Sequence, residues 1–474
     1  MSIHRARTPS LILGASIIAL TSWATESEAY AATCEANLTL DNGAVPKTLR
    51  WCVEQAALGH YDTVIMRGSA TYVLDSPLLV TGTVKLLGKG ADIEPSSTFV
   101  GDSLIELDNS AFVALNQVDL RGAGSSDVRG VFANPGATLK GEQLTVTGFT
   151  TTQDGAGIYL DDADAFLNTS GLHDNYTDSN GGGLYVDPSS VGVTVELLDV
   201  EITNNEASSA GAIDTGNGST VLFALDSDFH NNVTMLDAGA VLGGGHFERC
   251  SFRHNEAMGV GGAIDSREHT AVLIESSFHA NVAATGGAIA TGGTLGDLTV
   301  RRSALFENQS TAELGGAGIH VDGGIAKVVN STFAYNESQG AGTGAGAISV
   351  DAGAATLEYL TMAYNDANGG PGGLRVSASA SAALHNSLLR NFAPDCDLAG
   401  PLTAATSFAS DTTCGTGVSY VPGSIVAACS GSDQDYHCDP ASSLQGLATC
   451  TEPLDQLGNG RPQTACMPGA FEGP

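Results

Sequence analysis

Large apolar residues recur along this chain at a fixed distance from an asparagine. Leu172, Ile202, Phe229, Phe252, Phe278, Leu305, Phe333, Met362 and Leu388 stand three residues before Asn175, Asn205, Asn232, Asn255, Asn281, Asn308, Asn336, Asn365 and Asn391. The gaps between these asparagines are 30, 27, 23, 26, 27, 28, 29 and 26 residues. After all but the last, a Gly/Ala-rich step ends in one aliphatic plug: Leu184, Ile213, Val241, Ile264, Ile289, Ile319, Ile348 or Leu374. A unit this short cannot bury its own apolar face, so the copies must stack. Within one copy, Val272 and Ile274 alternate with other residues, as a strand with one buried face does. Gly286-Gly287-Ala288-Ile289 is again of strand length, and glycine there permits a corner or a close backbone approach.

The pattern predicts an all-β fold, a single right-handed parallel β-helix of about 11–12 coils over residues 70–395. Successive coils would lie about 4.8 Å apart. The asparagines should then form an internal ladder whose amides bond along the stack and satisfy buried corner backbone. A leucine-rich solenoid shares the period but needs denser leucines and a helical return path, and a propeller blade needs roughly 40 residues. Residues 32–69 are expected to cover the N-terminal end, where an open coil would present unpaired strand edges. Residues 396–474 are expected to form a cysteine-rich C-terminal cap.

Composition adds compartment and excludes one class of partner. With hydrophobic content of 42% and charged content of 15%, the chain is ordered rather than disordered. Its 52 acids against 19 Lys and Arg give a net charge of −33. Nucleic acid is therefore not an expected partner, since phosphate binding needs a basic surface. Residues 1–31 read as a signal peptide: Arg5 and Arg7, an apolar run from Leu11 to Leu20, then Ala29-Tyr30-Ala31 for cleavage. No later run is apolar and long enough to span a bilayer as a helix. The mature protein is expected to be secreted or held at the cell surface.

Nine cysteines refine that picture. None form a Cys-x-x-Cys pair, which disfavours zinc. In an exported chain they are expected as disulfides: Cys34–Cys52, Cys396–Cys414, Cys429–Cys438 and Cys450–Cys466. That C-terminal order is one of fifteen connectivities open to six cysteines. Cys250 stands two residues before the inward Phe252, where other copies carry Val200, Ser227, Ser276, Ser303, Ser331 and Leu360. It is expected to be a buried free thiol.

Three stretches resemble known families. The repeated Gly-Gly-Ala-Ile and Phe-x-x-Asn pattern is similar to polymorphic outer-membrane protein repeats, which are adhesin-like β-helices. Thr48-Leu49-Arg50, Asp62-Thr63-Val64 and Ala70-Thr71-Tyr72-Val73-Leu74 resemble the domain named for its Cys-Ser-Leu-Arg-Glu-Ala motif, with Lys47 in place of the motif's Cys. Asp455, Gly458, Arg461-Pro462, Cys466 and Gly469-Ala470-Phe471-Glu472 look like the closing segment of the choice-of-anchor Q family. The resemblance implies a bacterial, exported, pectin-lyase-like β-helix, and its shared motifs are structural. The chain stops directly after the cap at Pro474, without the membrane barrel of the autotransporter members, so outer-membrane association would need another means.

That fold also carries pectin-degrading enzymes, so chemistry must be read from side chains. Hydrolases of this shape share Asn-Thr-Asp, Asp-Asp, Gly-His-Gly and Arg-Ile-Lys stretches. Only Asp161-Asp162 is present, and Gly245-His246 continues as Phe247. No catalytic residue is assigned. One residue after the plug, Tyr159 and Tyr185 should stack as a sugar platform. Three residues after it, Asp161 with Asp187 and Asp322 with Asp351 should pair on adjacent coils, where Ca²⁺ is the cation such pairs would hold. His173, His230 and His279 mark a further column, more simply a polar edge than a metal site. The expected function is non-catalytic adhesion or glycan binding through the solenoid flank, with a polysaccharide or a cell-surface glycan or protein as partner. The rival is a polysaccharide lyase or glycoside hydrolase.

Overall fold

The computed structural model describes residues 32–474 apart from 123–126, 188–191, 217–219, 422–424, 432–435, 442–443, 446, 449–450, 462–465 and 472–474. The expected signal peptide therefore lies outside the described residues. Short strands pair in parallel with the coil before and the coil after, forming a β-solenoid of about 13 turns with almost no helix. The plugs align in one column, Ile158 to Leu184 to Ile213 to Val241 and onward to Leu374. The apolar residues before the asparagines form another, from Leu172 through Phe229, Phe252 and Phe278 to Met362. Phe252 stacks between Phe229 and Phe278, with ring centroids 4.7 and 4.8 Å away and planes nearly parallel. This spacing is set by the strand repeat, so rings on successive coils stack face to face in the core.

The last rung of that column departs from expectation. Met362 pairs with Leu389, not Leu388. Leu388 turns instead into a small apolar cluster beneath the C-terminal cap, with Ile425, Val426 and Leu444.

The ladder asparagines from Asn175 to Asn365 are buried and bonded in the same way, and the last, Asn391, is half-buried. The Asn281 amide donates to Phe252 O of the preceding coil at 2.9 Å and to Asn308 Oδ1 of the next at 2.9 Å. Its own oxygen accepts from Asn255, both backbone N–H and Nδ2, at 3.0 Å. The series runs from Asn175, whose oxygen accepts from Phe149 N–H, through Asn205, Asn232, Asn255, Asn281, Asn308, Asn336 and Asn365 to Asn391. Asp395 then ends it, accepting Asn391 N–H and Nδ2 at 3.0 and 2.9 Å. A second ladder lies at the corner before the Phe column. Backbone N–H groups of Val200, Cys250, Ser276 and Ser303 donate to the hydroxyls of Ser227, Ser276, Ser303 and Ser331. Cys250 occupies one rung of this ladder as a buried free thiol.

Strand pairing extends beyond residues 70–395. Thr33–Ala36 already pairs with Thr63–Met66, and Ser407–Ala409 with Val418–Tyr420. Coils before residue 150 carry no ladder asparagine, although the predicted span already began at residue 70. Between the first two strands a helix, Leu49–Ala57, buries Leu49, Cys52, Val53 and Ala56. The Thr48 hydroxyl caps it by accepting Trp51 N–H at 3.2 Å. Cys34 bonds Cys52, Cys396 bonds Cys414, and Cys429 bonds Cys438. Cys466 is disulfide-bonded, while Cys450 lies outside the described residues.

The two terminal motifs act as clamps. Arg50 donates to both Asp41 oxygens at 2.6 and 2.7 Å and to the Pro77 carbonyl at 2.6 Å. Arg461 is buried; it donates to Asn330 Oδ1 at 3.0 Å and lies over the Tyr359 ring at 4.3 Å. These contacts hold the first coil and the cap against the solenoid.

Candidate functional site

The position after each plug alternates away from the plug column, and adjacent coils line these residues up along one flank, where turns cover Asp214, Asp265, Ala290 and Ser349. In order they are Phe132, Tyr159, Tyr185, Asp214, Leu242 and Asp265. Ala290, His320, Ser349 and Arg375 continue the row. Aromatic rings therefore give way to carboxylates within a few coils.

Tyr159 and Tyr185 are register partners with centroids 5.3 Å apart. Phe132 stacks on Tyr159 from the other side at 5.0 Å, and the Arg129 guanidinium lies 4.8 Å from the Tyr159 centroid. Tyr159 is thus covered by its neighbours, and its hydroxyl donates to Asp187 Oδ2 at 3.0 Å. Burial, then this hydrogen bond, raises the Tyr159 pKa. Tyr185 is the last ring of the row. Burial first, then the charges of Asp154, Asp214 and Asp187, push its hydroxyl up to about 12.

Tyr185 lines a groove of about 530 Å³ whose wall continues through Asp214, Asp265, Arg267 and Glu268, with His269 and Asp322 at hand. Asp214 is 5% exposed, and its Oδ1 accepts Gly216 N–H at 2.8 Å. Burial is the main reason its pKa rises to about 6; Asp154 adds to the rise, and Gly216 N–H and His269 oppose it. Asp265 is 1% exposed and spends both oxygens on Arg267, at 2.7–3.1 Å. Arg267 in turn reaches Asp237 at 2.8 Å.

The acidic column divides into two cases. Asp161 and Asp187 are register partners. Burial, then the charges of Asp187 and Asp162, raises the Asp161 pKa. Asp322 and Asp351 do not pair: a register shift after Val321 sets Asp322 opposite Ala352. Asp351 meets His320 at 3.0 Å and Ser377 at 2.7 Å, with Arg375 also bound to it. Burial works against its charge, yet these hydrogen bonds and the His320 and Arg375 charges hold it below the ordinary carboxylate range. Nor do the histidines form one stack, because Thr203 and Arg253 stand between His173, His230 and His279. Among the described residues no three His, Cys, Asp or Glu converge as a metal set.

Sequence reasoning missed Phe132, Arg129, Asp214 and Asp265. The signal for the carboxylates was present, since Asp214 and Asp265 follow the plugs Ile213 and Ile264 directly, as Tyr185 follows Leu184.

No family model matches this chain, and no curated protein matches it. The crystal structure of pectate lyase Pel9A aligns over 94% of this chain and 96% of its own, at 15% identity and a TM-score of 0.31. A likeness that loose says nothing about chemistry; the solenoid stands on the strand pairings above.

Proposed function

We propose that this is an exported glycan-binding β-helix that holds a saccharide in the flank groove beside Tyr185. The observation that carries the reading is the adjacency of the terminal ring of an aromatic row to a groove lined by polar groups. A ring face packs against the C–H faces of a sugar while carboxylates at the rim take its hydroxyls. Disulfides at both ends of the chain fit an oxidising compartment. No helix among the described residues is long and apolar enough to cross a membrane.

Binding is favoured over catalysis by how the charged groups are used. A hydrolase needs two working carboxylates. Here Asp265 is committed to Arg267, Glu268 accepts from Thr294 and Leu295, and Arg267, the groove's cation, is committed to Asp265 and Asp237. That leaves Asp214 and Asp322 as the pair a cleavage activity would have to use. The test is a panel of neutral, cationic and uronic polysaccharides, each with and without Ca²⁺, read for retention and for cleavage. Retention without cleavage, weakened about tenfold or more by Tyr185→Ala, is the expected result. Cleavage at catalytic rates, or no retention of any glycan, overturns the reading.

A further inference from the structure

Asp214 is the groove group whose chemistry is least accounted for by the fold. Its Oδ1 is held by Gly216 N–H, and Oδ2 accepts no hydrogen bond from any described residue. That oxygen is left to the groove, where a ligand donor can complete a carboxylate the fold has otherwise largely withdrawn from water. Four carboxylates line the groove, Asp214, Asp265, Glu268 and Asp322, against the single guanidinium of Arg267. The whole chain carries −33. Such a wall repels a uronic acid and attracts a cation. Tyr185 and Asp214 are register partners, so their backbones lie about 4.8 Å apart, roughly the breadth of one pyranose ring.

We propose that the groove is selective for saccharides bearing a free, protonated amine, with the sugar ring against Tyr185 and the ammonium on the Asp214 carboxylate. This rests on the glycan-binding reading above and names the sugar class. A neutral amide at the same carbon offers one N–H and no charge, and its acyl group must enter an acidic wall. An ammonium offers three donors and full charge complementarity.

The groups facing Asp214 set its pH response. Burial and Asp154 raise its pKa to about 6, while Gly216 N–H and His269 pull it down. Tyr185 stays neutral, and Arg267 stays paired with Asp265. An ammonium needs the ionised carboxylate. Once the sugar amine is protonated, affinity for an amino-sugar oligomer therefore falls as pH drops below about 6 and Asp214 takes up a proton.

Isothermal titration of the mature chain with three probes of equal length separates the outcomes: a free-amine hexosamine oligomer, its N-acetylated form and a uronic acid oligomer. The free-amine oligomer should bind about ten- to a hundredfold more tightly than the N-acetylated one. Asp214→Asn should erase that preference while leaving N-acetylated binding in place, and Glu337→Gln, an exposed carboxylate outside the groove, should preserve it. If Asp214→Asn does not fold, the wild type decides. Free-amine affinity must then fall from about pH 6 to about pH 4, a range over which the sugar amine stays protonated, while N-acetylated affinity stays flat. Equal binding of both hexosamine oligomers, or preference for the uronic one, overturns the amine selectivity and leaves glycan binding intact. Failure of every probe sinks both readings.

Discussion

At the scale of the residue, the asparagine ladder couples sequence to stability most directly. Asn281→Ala removes the acceptor of Asn255 N–H and the donor to Phe252 O, both in the buried stack. Leaving such groups unsatisfied should cost about 1–3 kcal/mol. Phe278→Ala, beside it, opens a cavity against Phe252 and should cost about 3–5 kcal/mol. His279→Ala is an informative control, because its ring stacks on Phe306 at 4.4 Å and meets Glu307 at 3.2 Å. Its loss should cost about 0.5–1.5 kcal/mol, below both. Chemical denaturation of the three variants checks the ranking, and an Asn281→Ala as mild as His279→Ala would place the ladder in solvent. The ladder was legible because only an internal role keeps nine asparagines in phase with apolar neighbours. The serine ladder was visible in outline too, yet serines at a corner read equally well as turn residues. Cys250 tests it. Burial pushes its thiol up to about 12, so native protein should resist thiol alkylation. Cys250→Ser places a hydroxyl on a rung that accepts one elsewhere and should change stability by less than about 1 kcal/mol. A loss of several kcal/mol would mean the thiol is packed as a hydrophobe instead.

At the scale of the element, the ends of the solenoid differ from its middle. Interior coils repeat, so their strands follow from periodicity alone. The terminal elements are single copies, and nothing in the chain echoes them. The Leu49–Ala57 helix did carry a signal, burial at 49, 52, 53 and 56 being the helical period. At nine residues it was too short to stand out among strand-length segments. It sits on the first coil through Cys34–Cys52, which closes an 18-residue separation. Replacing both cysteines by serine should therefore cost about 2–4 kcal/mol. The loss should be local as well, since each coil leans only on its neighbours. Hydrogen exchange should show faster opening at Thr33–Ala36 and in the helix, with the Phe229–Phe278 coils unchanged. Uniform acceleration along the chain would show instead that the solenoid unfolds as one unit. Leu388 illustrates the same boundary at the other end. The three-residue spacing to Asn391 placed it in the core column, but the cap supplied a competing apolar cluster and Leu389 took the rung. Tertiary context of that kind has no local signature.

At the scale of the whole molecule, shape and charge act together. A solenoid displays one outward residue per coil in each column, so a flank is a list of residues drawn from positions nearly thirty apart. The Tyr159–Tyr185 and Asp161–Asp187 pairs were legible from that addressing, because the intervening strand lengths match. The Asp322–Asp351 pairing failed because a bulge after Val321 shifts the register, and a bulge is invisible to a spacing rule. The groove itself was not legible: its walls depend on how the turns between coils fold back, and those turns vary in length. The same flank explains how a chain of −33 tolerates its charge. Arg267 is shared between Asp265 and Asp237, Arg249 between Asp226 and Glu248, and Asp351 between His320 and Arg375. Most other carboxylates face water, so the folded rod carries uncompensated repulsion that the expanded chain relieves. Raising NaCl from about 10 mM to about 150 mM shortens the screening length from roughly 30 Å to roughly 8 Å. Thermal stability should rise by about 2–5 °C over that range, measured at one scan rate. CaCl₂ at matched ionic strength should add no more than NaCl if repulsion is diffuse. A larger gain with Ca²⁺, lost in Asp161→Asn, would localise the effect to the Asp161–Asp187 column. A fall in stability with salt would mean that the paired arginines, rather than the unpaired carboxylates, dominate the electrostatics of the fold.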